Sequence, residues 1–497
     1  MEHIALYFNK FLNLSLRILL LFIVISSTLL IVAFKLTSFS IVFIIVFTAL
    51  FFATYYFLKN NFKKSIITIL LIFSLIIRIL CFLNIDSIPI GDFNRIFLCA
   101  SDFLNGSTYM FKGTSYIARF PHMSMTVLYF ALIRKMFSNP LITIKLINII
   151  FSMFNVILLF FISKEVFEDK TKSIWVLFLS AIYPPMILYN NVYCSENLAI
   201  LLLLSSILMF LKSFNFKNKN AKLLFILLSG VFLSFTQLFR PIGYVMLIAY
   251  IMFILIYFKE SIKNRLIMSL SIIVTFIIPF VIVSYTLISL NITEYPLWHG
   301  TEPPSISFLK GTNIKLGGRW NEEDSSLFNK YDGNYKKIDM EAKKIIKERL
   351  TKTPFIDLIK FYKLKYENQW TTGDFGGSYW SEEGLDEAYN KEDYLKMLGK
   401  DKGKMFIRVS EQGMLFIQLF FIIILMLSYI GLYKNRKNIN FKIDLFYIIF
   451  CGVSLQCLIT EFQARYSYPF SWIFLILAIT AFNTKTSNHT GGLRCKS

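Results

Sequence analysis

The charges that flank long apolar runs are the residues whose types suit chemistry. Asp92 lies in PIGDFNRIF, Glu196 in YCSENL, Arg240 in FRPIG, and Glu461 with Arg465-Tyr466 in EFQARYSYP. A carboxylate can take a proton from an incoming hydroxyl. Arginines can hold the negative charge of a departing phosphate. Asp92 and Glu196 with Arg240 and Arg465 on one face therefore suit transfer of a group from a phosphate to a hydroxyl. Taken singly, a charge at a helix end is an ordinary interfacial anchor, and Pro184-Pro185 or Arg240-Pro241 an ordinary sharp turn. Their gathering on one face is what points to a site.

The elements that must position them are membrane spans. Of 497 residues, 56% are hydrophobic and 17% charged, against about 45–50% and about 25% in soluble domains. Apolar runs of spanning length lie near 12–34, 38–58, 64–84, 140–163, 173–190, 197–211, 223–239, 242–258, 266–289, 412–433, 443–461 and 468–484. Each is judged against a hydrocarbon thickness of ~30 Å. No cleavable signal is evident, and the first run reads as an uncleaved span. The net charge of +21 falls largely in short loops, which favours topology determinants over nucleic-acid binding. Placing the basic loops Lys59–Lys64, Lys164–Lys172, Lys212–Lys222, Lys259–Arg265 and Lys434–Lys442 in the cytoplasm agrees with strict alternation of the twelve runs. Both termini are then cytoplasmic, and all the site candidates share the outer face. Six scattered Cys without a CxxC pair, and four scattered His, favour neither a zinc site nor a disulfide framework.

Two segments remain outside, about 84–139 and 291–412. Within the first, 121–137 is apolar but ends in Arg134-Lys135; a span there would invert the loop that follows, so it reads as an interfacial helix. The second is charged and aromatic, with helices expected over 340–350 and 354–366 and a Gly-rich loop over 311–320. Arg78, inside the third run, must face the bundle. Trp370 reads as an interfacial anchor.

At these residues the chain resembles the GT-C membrane glycosyltransferases, in particular the protein O-mannosyltransferase and lipid A aminoarabinose transferase branch. The resemblance rests on an ordered set over about 64–480: Asp92 after a span, Phe120-Pro121-His122 opening an interfacial helix, Glu196 after Pro184-Pro185, Arg240-Pro241 after a span bearing Gly230, and Arg465-Tyr466 with Pro469. It departs from relatives that carry an acidic pair in the first loop, since Asp92 stands between Gly91 and Phe93. The resemblance implies an all-α, GT-C-like bundle of about 12 transmembrane helices, with interfacial helices and a mostly helical external region. In it, 1–63 holds two added helices, 64–290 a catalytic core with loop 85–139, 291–411 the extracytoplasmic region, 412–484 the C-terminal spans and 485–497 a cytoplasmic tail.

It also implies an inverting glycosyltransferase at the outer face of the plasma membrane, using a polyprenyl-phosphate sugar and an acceptor hydroxyl on a glycan, lipid, teichoic-type polymer or protein. Asp92 is the implied base and Glu196 its catalytic companion. Arg240 and Arg465 are the implied phosphate ligands, and Tyr466, His122 and Trp320 are further substrate contacts. Asp92 and Glu196 are also the candidate ligands of a divalent cation, Mg²⁺ or Mn²⁺, though two carboxylates are few for such an ion. Rival readings are a transporter or lipid flippase, a polysaccharide polymerase or ligase, and a non-catalytic assembly or sensor protein. A transporter favours internal repeats and helices broken at mid-membrane, neither of which is evident.

Overall fold

The computed structural model describes residues 2–85, 87–381, 409–435 and 440–482. The tail 485–497, much of 382–411 and part of the loop Lys434–Lys442 lie outside these residues. The apolar runs form α1 (Glu2–Leu30), α2 (Ser38–Lys59) and α3 (Lys63–Asn84). The first loop holds α4 (Gly91–Leu104) and α5 (Ser124–Met136). Then come α6 (Pro140–Phe167), α7 (Lys170–Ala181), α8 (Pro184–Leu188), α9 (Glu196–Ser213), α10 (Lys219–Phe239), α11 (Gly243–Tyr257) and α12 (Ile262–Ser289). The second large segment holds α13 (Ser305–Gly311), α14 (Tyr335–Lys352), α15 (Phe355–Trp370) and α16 (Gly377–Ser381). The chain continues as α17 (Met414–Lys434), α18 (Phe441–Ile459) and α19 (Ile473–Ile479).

The protein is an all-α, multi-pass membrane protein. Among the described residues nine helices are long and apolar enough to cross a membrane, or ten if the bent pair α7–α8 is one span. Twelve runs were expected, and the difference has local causes. The run 242–258 yields only fifteen residues in α11, about 22 Å of helix. The run 468–484 breaks into a 3-10 turn at Tyr468–Phe470 and the seven residues of α19, because Pro469 cannot continue an α-helix. Every residue of α19 is buried, so it is a central strut of the bundle. The segment 121–137 yields the thirteen-residue α5, about 20 Å long and short of a ~30 Å hydrocarbon layer.

Helices exchange polar contacts at both ends. At one end Asn9 donates twice to Asp444, at 2.7 and 2.8 Å, and Lys442 pairs with Glu168. The other end gathers the first loop, the second large segment and every break in the spans. In an apolar environment each backbone group freed by a break needs a protein partner. Pro184-Pro185 bend α7 from α8 by 52°, since the residue before a proline is driven out of the helical region; Tyr183 is accordingly extended at φ −66°, ψ 111°. Pro185 has no N–H for the Ala181 carbonyl. The fully buried Arg78 supplies one, donating to Ala181 O at 3.0 Å and to Ser152 Oγ at 2.9 Å. Arg78 faces the bundle, as expected, and its role is to cap this break.

The second segment also enters the bundle. Trp370, at the end of α15, is completely buried, donating to Ser454 of α18 at 3.2 Å. It is therefore not an interfacial anchor; α15 descends between α1 and α18 and carries it inward. The chain turns at Thr371–Gly373, where the α17 residue Gln418 donates to Thr371 O at 2.9 Å and accepts from Gly373 N at 3.0 Å. Ser27 of α1 donates to the same Thr371 carbonyl at 2.9 Å. The N-terminal helix α1 is thus part of the framework that returns the chain to α16.

The Arg78 cap makes a prediction. Replacing Arg78 with Leu is expected to lower stability by about 2–3 kcal/mol, the scale of a buried hydrogen bond to a charged donor. In a Pro185→Ala background, which restores an N–H to Ala181 O, the cost is expected to fall. Denaturant unfolding of the four proteins checks it, and an unchanged cost in the Ala background contradicts the capping role.

Candidate active site

Asp92 and Glu196 both open helices. Asp92 is the second residue of α4 and Glu196 the first of α9, where the helix dipole favours a carboxylate. The approach to Asp92 is an extended run ending in Gly91, whose φ of +50° starts α4 sharply. A Cβ at Gly91 would lie 3.3 Å from the Trp380 ring, so glycine also permits close packing there. Arg240 caps the C-terminal end of α10. Arg465 sits in the 3-10 turn Ala464–Tyr466 between α18 and α19.

The fold pairs these four charges. Arg465 donates to Asp92 Oδ2 at 2.5 Å, and Tyr116 donates its hydroxyl to Asp92 Oδ1 at 2.6 Å. Arg240 donates to Glu196 Oε1. The Phe93 ring lies between the pairs, 5.3 Å from the Arg465 guanidinium carbon and 5.9 Å from that of Arg240. Trp380 covers Arg465 at 4.3 Å and meets Phe93 edge-on at 5.0 Å. The cluster is buried yet not saturated: Arg240 Nε, Arg465 Nε and Glu196 Oε2 have no hydrogen-bond partner. Such unfilled capacity calls for an explanation, and here it consists of two N–H donors and one carboxylate acceptor.

Electrostatics follow the pairing. Burial opposes the charged form of Asp92, but Arg465, the Tyr116 hydrogen bond and Arg240 outweigh it and hold the carboxyl below its ordinary value. Burial, then the positive charge of Arg240, lowers His122 to about 4, against a smaller opposing effect of Asp92. His122 is thus neutral at pH 7 and stands within reach of these charges. Burial raises the Tyr116 hydroxyl, and the Asp92 charge adds to it, so Tyr116 is a fixed donor.

The surrounding chain is stitched to the second large segment. Tyr466 and Gln463 both donate to Glu461 Oε1 at 3.2 Å, and Lys310 of α13 pairs with Glu461 Oε2 at 2.6 Å. Lys365 donates to the carbonyls of Gly311, Leu458 and Thr460 at 2.7, 2.8 and 2.7 Å, closing the end of α18. Arg119 pairs with Glu302 at 2.5 Å, and Thr301 N donates to Ala118 O at 3.0 Å. These contacts hold the segment that carries Tyr116 and His122.

The structure therefore brings together Asp92, Glu196, Arg240, Arg465, Tyr466 and His122. Trp320 is 57% exposed on the turn after Gly317-Gly318, and among the described residues no ring or hydrogen-bond contact joins it to the cluster. Sequence reasoning missed Tyr116, Phe93, Trp380 and Lys310. Phe93 adjoins Asp92, and Tyr116 lies in the run before Pro121, but nothing in the sequence separates them from other aromatics of this Phe-rich chain.

In the pairing seen here, the cluster offers a divalent cation one open carboxylate oxygen, Glu196 Oε2. Such ions take six or more oxygen ligands, whereas both Asp92 oxygens and one Glu196 oxygen already accept hydrogen bonds. Among the described residues no three His, Cys, Asp or Glu stand together.

No protein-family model matches this chain, and no curated protein sequence does. Among solved structures, it is similar to the Archaeoglobus fulgidus oligosaccharyltransferase AglB in complex with an inhibitory peptide and a dolichol-phosphate, at 15% identity and a TM-score of 0.47, covering 85% of this chain and 50% of that one. The apo form of the A. fulgidus enzyme gives 14% identity and a TM-score of 0.46, with the same coverage. The chain spans about half the length of these proteins.

The Asp92 pairing has a pH signature. A carboxyl held below its ordinary 3.8 contributes stability above that value and loses it as pH falls through the folded-state value. The difference in melting temperature between wild type and Asp92→Asn is expected to be flat above about pH 5 and to shrink below about pH 4. A difference that grows on acidification contradicts the ion pair.

Proposed function

We propose that this protein is an inverting glycosyltransferase of GT-C type. It moves a sugar from a polyprenyl-phosphate donor to an acceptor hydroxyl at the outer face of the plasma membrane, with both termini in the cytoplasm. The observation that carries this reading is the paired cluster itself: two arginines with unused Nε–H donors, set against two carboxylates at the edge of a membrane bundle. Guanidinium groups offer planar, charge-assisted donors suited to phosphate oxygens. In this structure the Asp92 carboxylate lies on Arg465, a place the donor phosphate would take.

Donor binding exchanges that partner. The phosphate takes Arg465 and Arg240, and Asp92 keeps its hydrogen bond from Tyr116. Freed of its cation, Asp92 becomes a stronger base and accepts the proton of the acceptor hydroxyl. The hydroxyl oxygen bonds to the anomeric carbon as the carbon–oxygen bond to phosphate breaks, and the bonding electrons leave with the phosphate. Attack from the face opposite the phosphate inverts the anomeric centre. The arginines stabilise the charge that develops on the leaving group. Glu196, through its open Oε2, orients the acceptor. Neutral His122 and the Tyr466 ring line the site. Trp320 offers an apolar ring face to a sugar that extends past the cluster.

Release of polyprenyl phosphate from a panel of polyprenyl-phosphate sugars, by the purified chain, tests this reading. Asp92→Asn is expected to lower turnover by about two orders of magnitude or more. The same variant is expected to bind polyprenyl phosphate at least as tightly as wild type, because Arg465 no longer has a competing carboxylate. Full turnover by folded Asp92→Asn eliminates the base role. Lipid binding without turnover on any donor shifts the reading to a flippase or ligase.

A further inference from the structure

A groove of about 790 Å³ lies between the membrane-spanning α18 and the helices α13, α14 and α15. That volume is within the ~300–1,000 Å³ of small-ligand sites. Its floor is Leu455, Leu458 and Ile459 of α18, with Leu455 59% and Ile459 51% exposed. Because α18 crosses the membrane, this floor continues directly into hydrocarbon. Phe308, Ile346 and Leu350 form the opposite wall.

The rim is cationic. Lys343 and Lys347 line the groove four residues apart on α14, which places them on one face of the helix. Lys343 shares its charge with Asp339 at 2.6 Å; Lys347 has no acidic partner among the described residues. The whole of α14 carries seven basic residues against three acidic ones. Beside the groove, α15 begins with Phe355, 78% exposed, followed by the exposed Ile356 and Ile359. An apolar surface of this kind belongs against lipid or a partner, and here it adjoins a floor that opens into the bilayer. The apolar floor, the cationic rim and the flanking apolar helix together have the polarity profile of one leaflet: hydrocarbon below, anionic headgroup above.

We propose that this groove is a binding site for an anionic phospholipid of the surrounding leaflet. One acyl chain lies along Leu455–Ile459, and the phosphate sits between Lys343 and Lys347. This assignment does not depend on the transfer reaction.

The test uses the full chain in nanodiscs of equal phosphatidylglycerol and phosphatidylcholine, with retained lipids counted by native mass spectrometry. Wild type is expected to retain phosphatidylglycerol over phosphatidylcholine by tenfold or more, at one molecule per chain. The Lys343→Glu/Lys347→Glu variant is expected to lose that preference. Leu455→Trp, which narrows the floor and keeps both lysines, is expected to lower retention as well. Lys336→Glu/Lys337→Glu, on the same helix but off the groove, is expected to behave as wild type, with unchanged melting curves for all variants. Equal retention of the two lipids by wild type overturns the proposal. So does an equal loss in the Lys336/Lys337 variant, which marks general attraction to a basic helix.

Discussion

Hydrocarbon offers no hydrogen bonds, so wherever a chain leaves its helix inside a bilayer the protein must answer the freed groups itself. This constraint governs the site end of the bundle. Arg78 answers the carbonyl released by Pro185, Gln418 and Ser27 answer the turn at Thr371–Gly373, and Lys365 answers the end of α18. Each answer comes from another element, distant in sequence. Only with these breaks satisfied can α8, α16 and the turn at Ala464–Tyr466 end where they do. The aromatic and charged side chains of the site hang on those three breaks.

The charges at the site obey a related rule. A buried carboxylate is costly unless it is paired and hydrogen-bonded. Asp92 and Glu196 sit at helix N-termini, and each has an arginine partner. The pairs leave two Nε–H groups and one carboxylate oxygen unused. Buried polar groups are ordinarily hydrogen-bonded; in the proposed reaction the N–H groups would meet the donor phosphate and the open oxygen the acceptor hydroxyl. Phe93 and Trp380 keep both guanidinium groups in an apolar setting, where charge-assisted hydrogen bonds are strongest.

The large segment after α12 is part of the same machine. Lys310, Glu302 and Lys365 reach from it or through it to the chain around Tyr466, Tyr116 and α18. Gly311 marks how close the contact is: a Cβ there would lie 2.6 Å from the backbone of Ile459–Thr460. This segment and the first loop hold the cluster from two sides.

By itself the sequence determined the class of fold, because apolar runs of spanning length and basic loops are local properties that lipid turns directly into helices. It also singled out four charges that the fold brings together, since Asp92, Glu196, Arg240 and Arg465 stand at the ends of such runs. It did not determine how many runs become full spans. Pro184-Pro185 and Pro469 break two of them, and α19 is central only because other helices surround it. Nor did it reveal that Trp370 would be buried, that Arg78 would cap a proline break, or that Asp92 would pair with Arg465 across 373 residues of chain. Those outcomes depend on which helix ends lie side by side. Local sequence carries no record of that, because hydrocarbon is as apolar as the side chains it meets, and close packing with interhelical hydrogen bonds decides which helices become neighbours.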